Sequence, residues 1–332
     1  YRLLAVQHRS HRKLLIVDDR VVMSGGRNIG DDYFHLSPHF NFLDADVVVE
    51  GPIAADVRAT FDRYWNSELA STPDLTAIST EEKALAQAFV DTTPQDSATF
   101  AFIDRHGPDL LAKLHTHTCR DLTFVTDFPG VATSNRRVYQ VLTGVFSEAT
   151  QSLLGESPYV VLKGHGLQQV RSFDKRGISV TLLSNSLHST DAYYTVSALR
   201  ANLDALADTS IQLYAYDGSP PPQLISLPIP QSTRWGVHAK RAVVDQKTVV
   251  IGTYNVDPRS ANLNSELLFV CRNAPALAAE MTASIRARIA RARPVVEQGV
   301  IHSDALLGDA PTAERLKMRL AIPLAWAFDF LL

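Results

Sequence analysis

The segment HRKLLIVDDRVVMSGGRN, which begins at His11, returns 227 positions later as HAKRAVVDQKTVVIGTYN, beginning at His238. His11, Lys13, Asp18, Gly25 and Asn28 recur in register as His238, Lys240, Asp245, Gly252 and Asn255, and Val17 and Val22 recur as Val244 and Val249. A repeat with this many matched positions restricts the chain to folds built from like units. Two such units facing each other about a pseudo-two-fold axis bring their equivalent residues to one shared site.

Each copy reads as a β-hairpin, with apolar runs flanking the turns Asp18-Asp19-Arg20 and Asp245-Gln246-Lys247. Residues i and i+2 of a strand share a face, so each histidine projects with its lysine while the apolar run enters a core. Gly25-Gly26 and Gly252 are expected to break the second strand, letting the backbone bend so that Asn28 and Asn255 turn back toward the histidines. The shared site would then hold two imidazoles, two ammoniums and two carboxamides, a set suited to a phosphodiester. Lys13, Lys240, Asn28 and Asn255 can donate to the non-bridging oxygens as charge develops on them, so no metal and no cofactor is expected. One imidazole can attack phosphorus while the other protonates the leaving oxygen.

Composition narrows the partners. Lysine and arginine number 32 against 35 acidic residues, a formal charge of -3, which lacks the basic excess of a protein that binds polyanions through their backbone phosphates. Nucleic acid is therefore not an expected partner. A mixture of 45% hydrophobic and 20% charged residues excludes a disordered tail or a fibre. Cys119 and Cys271 lie far apart and form no CxxC unit, so neither a disulfide framework nor a zinc ribbon is suggested. His115, His117 and Cys119 alternate as a zinc-binding strand face would, but without a fourth ligand. Asp31 and Asp32 read as solvated loop acids.

Elsewhere DADVVVEGP (44–52) reads as a strand, and AADVRATFDRYWNS as an amphipathic helix with Val57, Phe61 and Trp65 in the core. Residues 68–120 resemble a polar connection with helices. DLTFVTD, PYVVLKG, GISVTLLSN and IQLYAYDG read as strands, and a helix is expected to begin near Ser189 to Asp191. SPPPQ (219–223) reads as a surface loop near the second site. Strands alternating with helices predict an α/β fold with mixed sheets. No uninterrupted apolar run reaches the roughly 18 residues that span a bilayer. The ending RLKMRLAIPLAWAFDFLL, with Arg315, Lys317 and Arg319 before an apolar stretch containing Trp326, Phe328 and Phe330, suits either an interfacial helix or one packed on the core.

The paired HxKxxxxD segments with a following G-x-x-N resemble the phospholipase D superfamily. GGRNIGDDYF (25–34), FDRYWNS (61–67), SNSLHSTD (184–191) and NVDPRSANLNSE (255–266) are similar to its bacterial cardiolipin synthase branch, closest to the type that uses phosphatidylglycerol with phosphatidylethanolamine. The resemblance implies two phospholipase D-like α/β/α sandwich domains related by a pseudo-two-fold axis, here residues 1–119, with the connecting helices, and 120–332. It implies a phosphatidyltransferase that forms cardiolipin from phosphatidylglycerol and a second phospholipid through a covalent phosphohistidine. The alternatives are a hydrolytic phosphodiesterase using the same site and a lipid-binding protein that retains the fold.

The resemblance makes His11 the nucleophile and His238 the general acid and base, though the symmetry of the motifs does not decide between them. Asp44 and Glu266 correspond to acids that orient the histidines, and Asp18 and Asp245 to residues that hold each motif together. It also implies phospholipid partners and a peripheral or anchored place at a bacterial inner membrane. One departure is local: Leu162, Lys163 and Gly164 stand where the family has a proline and a Gly-rich turn. The repeat spacing puts the start of the first copy about 105 residues before Tyr1, so a preceding segment of the same protein is expected as a further partner.

Overall fold

The computed structural model describes residues 7–72, 74, 76, 78–92, 97–112, 114–129, 136–221 and 229–327. The chain divides into two compact units, residues 1–62 with 118–332, and residues 63–117. The larger unit opens with the hairpin β1 (Leu14–Val17) and β2 (Val21–Gly25), a 3-10 turn at Asp31–Tyr33, β3 (Phe40–Leu43), β4 (Asp46–Glu50) and α1 (Ile53–Trp65). The smaller unit carries α2 (Thr80–Thr92) and α3 (Ser97–Ala112).

The chain then continues through β5 (Asp121–Thr126), α4 (Arg137–Ser147), β6 (Ser152–Glu156), α5 (Gly164–Lys175), β7 (Ser179–Asn185), α6 (Tyr193–Arg200), α7 (Leu203–Ala207) and β8 (Gln212–Tyr216). The second motif follows with β9 (Arg234–Val237), β10 (Arg241–Val244), β11 (Thr248–Gly252), α8 (Pro258–Asn262) and β12 (Leu267–Arg272). The last elements are α9 (Pro275–Ile289), β13 (Ala292–Glu297), β14 (Val300–Ile301), α10 (Ser303–Leu307) and α11 (Thr312–Ala327).

A nine-stranded mixed sheet runs β14-β13-β8-β7-β6-β10-β11-β12-β5, with β6, β7 and β8 parallel and the other neighbours antiparallel. Alternation along β10 sends Ala242 and Val244 into one core with α4, α5, α6 and α7, while Val243 enters another with α9. That second core also takes Val22, Ala54 and Val57, and the hairpin sheet β1-β2-β4 packs there. The sheet is thus covered on both faces, as its near-continuous Val, Ile and Leu runs require.

The two hairpins are alike in backbone as well as sequence. Asp18 and Asp19 (φ 51 and 54) match Asp245 and Gln246 (φ 50 and 55), all left-handed, which is the turn whose twist suits a hairpin. Their surroundings differ. β10 is flanked by β6 and β11, whereas β1 pairs with β2 alone among the described residues.

Three expectations are corrected. PYVVLKG forms no strand, only an isolated bridge from Val160 to Val256, because the chain there turns into α5. Phe61 and Trp65 are exposed, while Ala54 and Val57 of the same helix are buried. The expected strand breaks at the motif glycines are present: β2 ends at Gly25 and β11 at Gly252, where neighbouring backbones also approach closely. A Cβ on Gly25 would collide with the Ala45 and Asp46 backbone of β4, and one on Gly252 with the Leu267–Leu268 backbone of β12.

The third concerns the cysteines. Cys119 and Cys271 form a disulfide, with Cα atoms 5.9 Å apart, because β5 returns beside β12. Residues 114–119 form no strand and the Cys119 sulfur is committed, which removes the zinc face read from the sequence. Within the C-terminal segment, α11 reaches Ala327 and packs on α6 through buried Met318, whose carbonyl accepts a hydrogen bond from Ser197. Phe328 and Phe330, like Pro222 and Gln223 of the predicted loop, lie outside the described residues, as does the side chain of Trp326.

Candidate active site

Register builds the site. β3 and β9 pair in parallel with Leu43 opposite Val237, and the next residues are Asp44 and His238. Ser10 pairs in parallel with Ser265, and the next residues there are His11 and Glu266. Each histidine amide also donates across the junction, His238 N to Leu43 O (2.8 Å) and His11 N to Ser265 O (3.0 Å). In each case a histidine from one copy is set beside an acid that follows the other copy, as a pseudo-two-fold arrangement demands.

The side chains close these contacts. His238 Nδ1 lies 2.7 Å from Asp44 Oδ2, and His11 Nδ1 lies 2.9 Å from Glu266 Oε2. A carboxylate only accepts, so Nδ1 is the donor in both rings and each Nε2 is turned to its other side. Glu266 is fully buried and also accepts from Thr253 Oγ1, Ser260 Oγ (2.9 Å) and Asn264 Nδ2 (3.2 Å). Burial alone would raise its pKa, but His11 and these donors outweigh it and hold the carboxyl below its ordinary value. Asp44 behaves similarly: burial opposes ionisation, yet the His238 hydrogen bond and the nearby charges keep it well below the usual carboxylate range.

The two histidines are not equivalent. His11 keeps 22% of its side-chain surface exposed, whereas His238 keeps 4%. Tyr33 and Phe42 enclose His238, with ring centroids 5.0 and 4.9 Å from the imidazole. Burial first, then the Lys240 charge, push His238 down to about 3, against the pull of Asp44. Burial and Asp44 thus act on His238 in opposite directions, and burial prevails.

Lys240 Nζ donates to His238 O (2.6 Å) and sits 3.1 Å from Nε2; in the first copy Lys13 Nζ donates to His11 O (2.8 Å). Burial lowers both lysines to about 8, although Glu266 and Asp44 act to raise Lys13 and Asp44 chief among them to raise Lys240. The sets lie within electrostatic reach, since His238 responds to His11 and Lys240 to Lys13. Asn255 is buried with Oδ1 unpartnered among the described residues, and Asn28 hydrogen-bonds Tyr33, whose hydroxyl burial pushes up to about 12. The site is thus a cluster of nitrogen donors over two ionised acids, able to surround a monoanionic phosphodiester.

The motif aspartates lie apart from this cluster. Asp245 ties the hairpin to the start of β6, accepting from the backbone N–H groups of Thr150, Gln151 and Ser152 and the Thr150 hydroxyl. Asp18, in the equivalent turn, is exposed and has no such clamp among the described residues. Sequence reasoning missed Arg288 on α9, which donates to Leu43 O and Asp44 O and pairs with buried Glu156, fixing the end of β3. It also missed Tyr33 and Phe42. Ser260 and Asn264 sat within the quoted NVDPRSANLNSE stretch, whereas nothing in the spacing marks Arg288.

Residues 142–289 match the family model described as cardiolipin synthase, PLD-like domain. Cardiolipin synthase C of Escherichia coli is 27% identical over 80% of this chain and 59% of its own length. An uncharacterized protein of Helicobacter pylori is 27% identical over 85% of this chain and 57% of its own, and the major cardiolipin synthase of Bacillus subtilis is 24% identical over 80% and 45%. The chain thus spans about half the length of the curated relatives it matches. The phosphatidylserine synthase structure from Haemophilus influenzae has the same fold, with a TM-score of 0.63 at 14% identity over 97% of this chain and 71% of that one. The chain is thus similar to cardiolipin synthases, over residues 142–289 by the family model and over about 80% of its length by the curated relatives.

Proposed function

We propose that this chain carries the active site of a phosphatidyltransferase that forms cardiolipin from phosphatidylglycerol and a second phospholipid. The reading rests on one observation above the others: the reciprocal pairs His11–Glu266 and His238–Asp44, which orient two imidazoles beside two lysines. Residues 1–119 and 120–332 are read as belonging to the two phospholipase D-like halves. The names of the cardiolipin synthase relatives support transfer to a lipid over hydrolysis.

The donor phosphodiester lies between Lys13 and Lys240, with Asn28 and Asn255 completing the donors to its non-bridging oxygens. His11, the more open ring, attacks phosphorus through Nε2 while the bond to the leaving head-group oxygen breaks. The arriving anion draws Lys240 away from His238 and favours protonation of that ring, which then gives its proton to the departing alkoxide. In the second half, His238 takes the proton of an acceptor-lipid hydroxyl, whose oxygen displaces His11 and breaks the N–P bond.

Contact with a membrane is part of the proposal. Among the described residues no helix is long and apolar enough to cross one. α11 presents exposed Leu316 and Leu320 with Lys317 and Arg319, beside exposed Tyr193 and Tyr194 on α6, a combination suited to lying on an anionic bilayer. The deciding experiment is lipid analysis after incubating the protein with phosphatidylglycerol vesicles, with and without phosphatidylethanolamine. Cardiolipin is the expected product; phosphatidic acid alone would make water the acceptor and the protein a hydrolase.

A further inference from the structure

A cavity of about 500 Å³ lies between the helices α4 and α5 and the face of the large sheet, and Lys240 of the second motif lines one end of it. Its helical wall includes Leu142, Phe146 and Val170, and its floor crosses five neighbouring strands from Leu268 on β12 through Val250 on β11 and Ala242 on β10 to β6 and β7. We propose that this cavity receives one acyl chain of the phospholipid whose phosphate is held at Lys240. The proposal rests on the phospholipid reading above and assigns where the tail of that substrate goes.

Three physical arguments carry it. The cavity is only partly enclosed, so a substrate tail can enter it from the surface. Water is a poor occupant, because a bound water needs two to four polar partners and this wall is mostly hydrocarbon. The volume falls in the range of small-ligand pockets, about 300–1,000 Å³, whose walls are likewise apolar with a few polar groups at one point.

Length selects the occupant. Four inter-strand spacings of about 4.8 Å make the floor about 19 Å long from β12 to β7. That is long enough to take the ~15 Å occupied by one lipid tail in its own leaflet, half of a ~30 Å hydrocarbon core. Lys240 and Asp257 line the cavity beside the phosphate site, the apolar strand residues form its floor, and Lys163, His165 and Gln169 line it around the start of α5. Gly155, in the middle of β6, keeps the floor low, since a Cβ there would press on Leu182.

Two filling substitutions remote from the catalytic machinery test this, Val170→Phe on α5 and Val180→Phe on β7. With diacyl phosphatidylglycerols of six to twelve carbons presented in one detergent, kcat/KM should rise steeply with chain length in the unaltered protein. Both variants should lose at least tenfold of that gain while their dihexanoyl turnover stays within twofold. Calorimetric titration with hexanoic to dodecanoic acid supplies a readout independent of turnover. Affinity should tighten by about fourfold per added methylene in the unaltered protein and by much less in the filled variants. Fatty-acid affinity that ignores chain length in the unaltered protein, or kcat/KM and affinity profiles unchanged in folded variants, would overturn the pocket. Fatty-acid binding with this profile but no turnover of any phosphatidylglycerol would leave the pocket standing and overturn the proposed function instead.

Discussion

Replacing Cys119 and Cys271 by alanine removes the covalent link between the segment before β5 and the far end of β12. The bond closes a loop with a sequence separation of 152 residues. Chain entropy alone assigns a loop of that length about 5 kcal/mol at 25 °C, comparable to the lower end of the 5–15 kcal/mol that holds a typical domain together. The Cα atoms already lie within the span a disulfide accepts, and β5 and β12 are hydrogen-bonded on their own account, so the native fold has little to rearrange when the link is cut. The destabilisation therefore falls on the unfolded side of the equilibrium.

In urea, followed by tryptophan fluorescence and circular dichroism, the double alanine variant or the reduced protein should show a midpoint lower by on the order of 1–2 M. Catalysis in the absence of urea should hardly change, because Cys271 is five residues along the chain from Glu266, about 16 Å away at strand rise. Equal midpoints for oxidised and reduced protein would refute the entropic argument. Reaction of both thiols with a maleimide in the native, unreduced protein would refute the bond itself.

Activity should also report the buried lysines. The kcat/KM profile follows ionisations of the free protein, so it should fall as pH rises through about 8, where Lys13 and Lys240 lose the charge that holds the phosphate. A profile flat to pH 10 would remove them from that role. Asp44→Asn should lower kcat on the order of 10²- to 10⁴-fold, as expected when an imidazole loses its orienting carboxylate, at a cost of about 1 kcal/mol in stability. Glu266→Gln should lose similar activity and about 2–4 kcal/mol, measured by urea unfolding, since four donors converge on this one buried group and an amide NH₂ accepts from none of them. Leu316→Ser with Leu320→Ser should weaken co-sedimentation with anionic vesicles several-fold without unfolding the protein, because Met318 and not these residues packs on α6; unchanged binding would place the membrane surface elsewhere.

The repeat made the central pairing legible before any coordinates. Equal spacing in the two copies requires equal hairpins, and the matching left-handed turns at Asp18–Asp19 and Asp245–Gln246 follow from it. What spacing does not carry is the identity of strand neighbours. The disulfide depends on β5 lying next to β12, and the Arg288 contact depends on α9 crossing the end of β3, so neither leaves a mark in linear sequence. Periodicity misled at Phe61 and Trp65, because helical spacing marks a face without saying how far the surface beneath it extends. Tyr33 lies in the 3-10 turn and Phe42 in the short strand β3, and the motif spacing marks neither, yet both pack on the buried His238 ring.

The measurement that bears most directly on the two-histidine mechanism is a rapid alkaline denaturing quench of the protein mixed with phosphorus-labelled phosphatidylglycerol, followed by peptide mapping. The account predicts a phosphatidyl group on the imidazole of His11 within the first turnover, absent in His11→Ala and formed far more slowly in His238→Ala. Label on His238 would exchange the two roles. Cardiolipin formed with no labelled histidine at any time before the first turnover is complete would contradict the covalent mechanism.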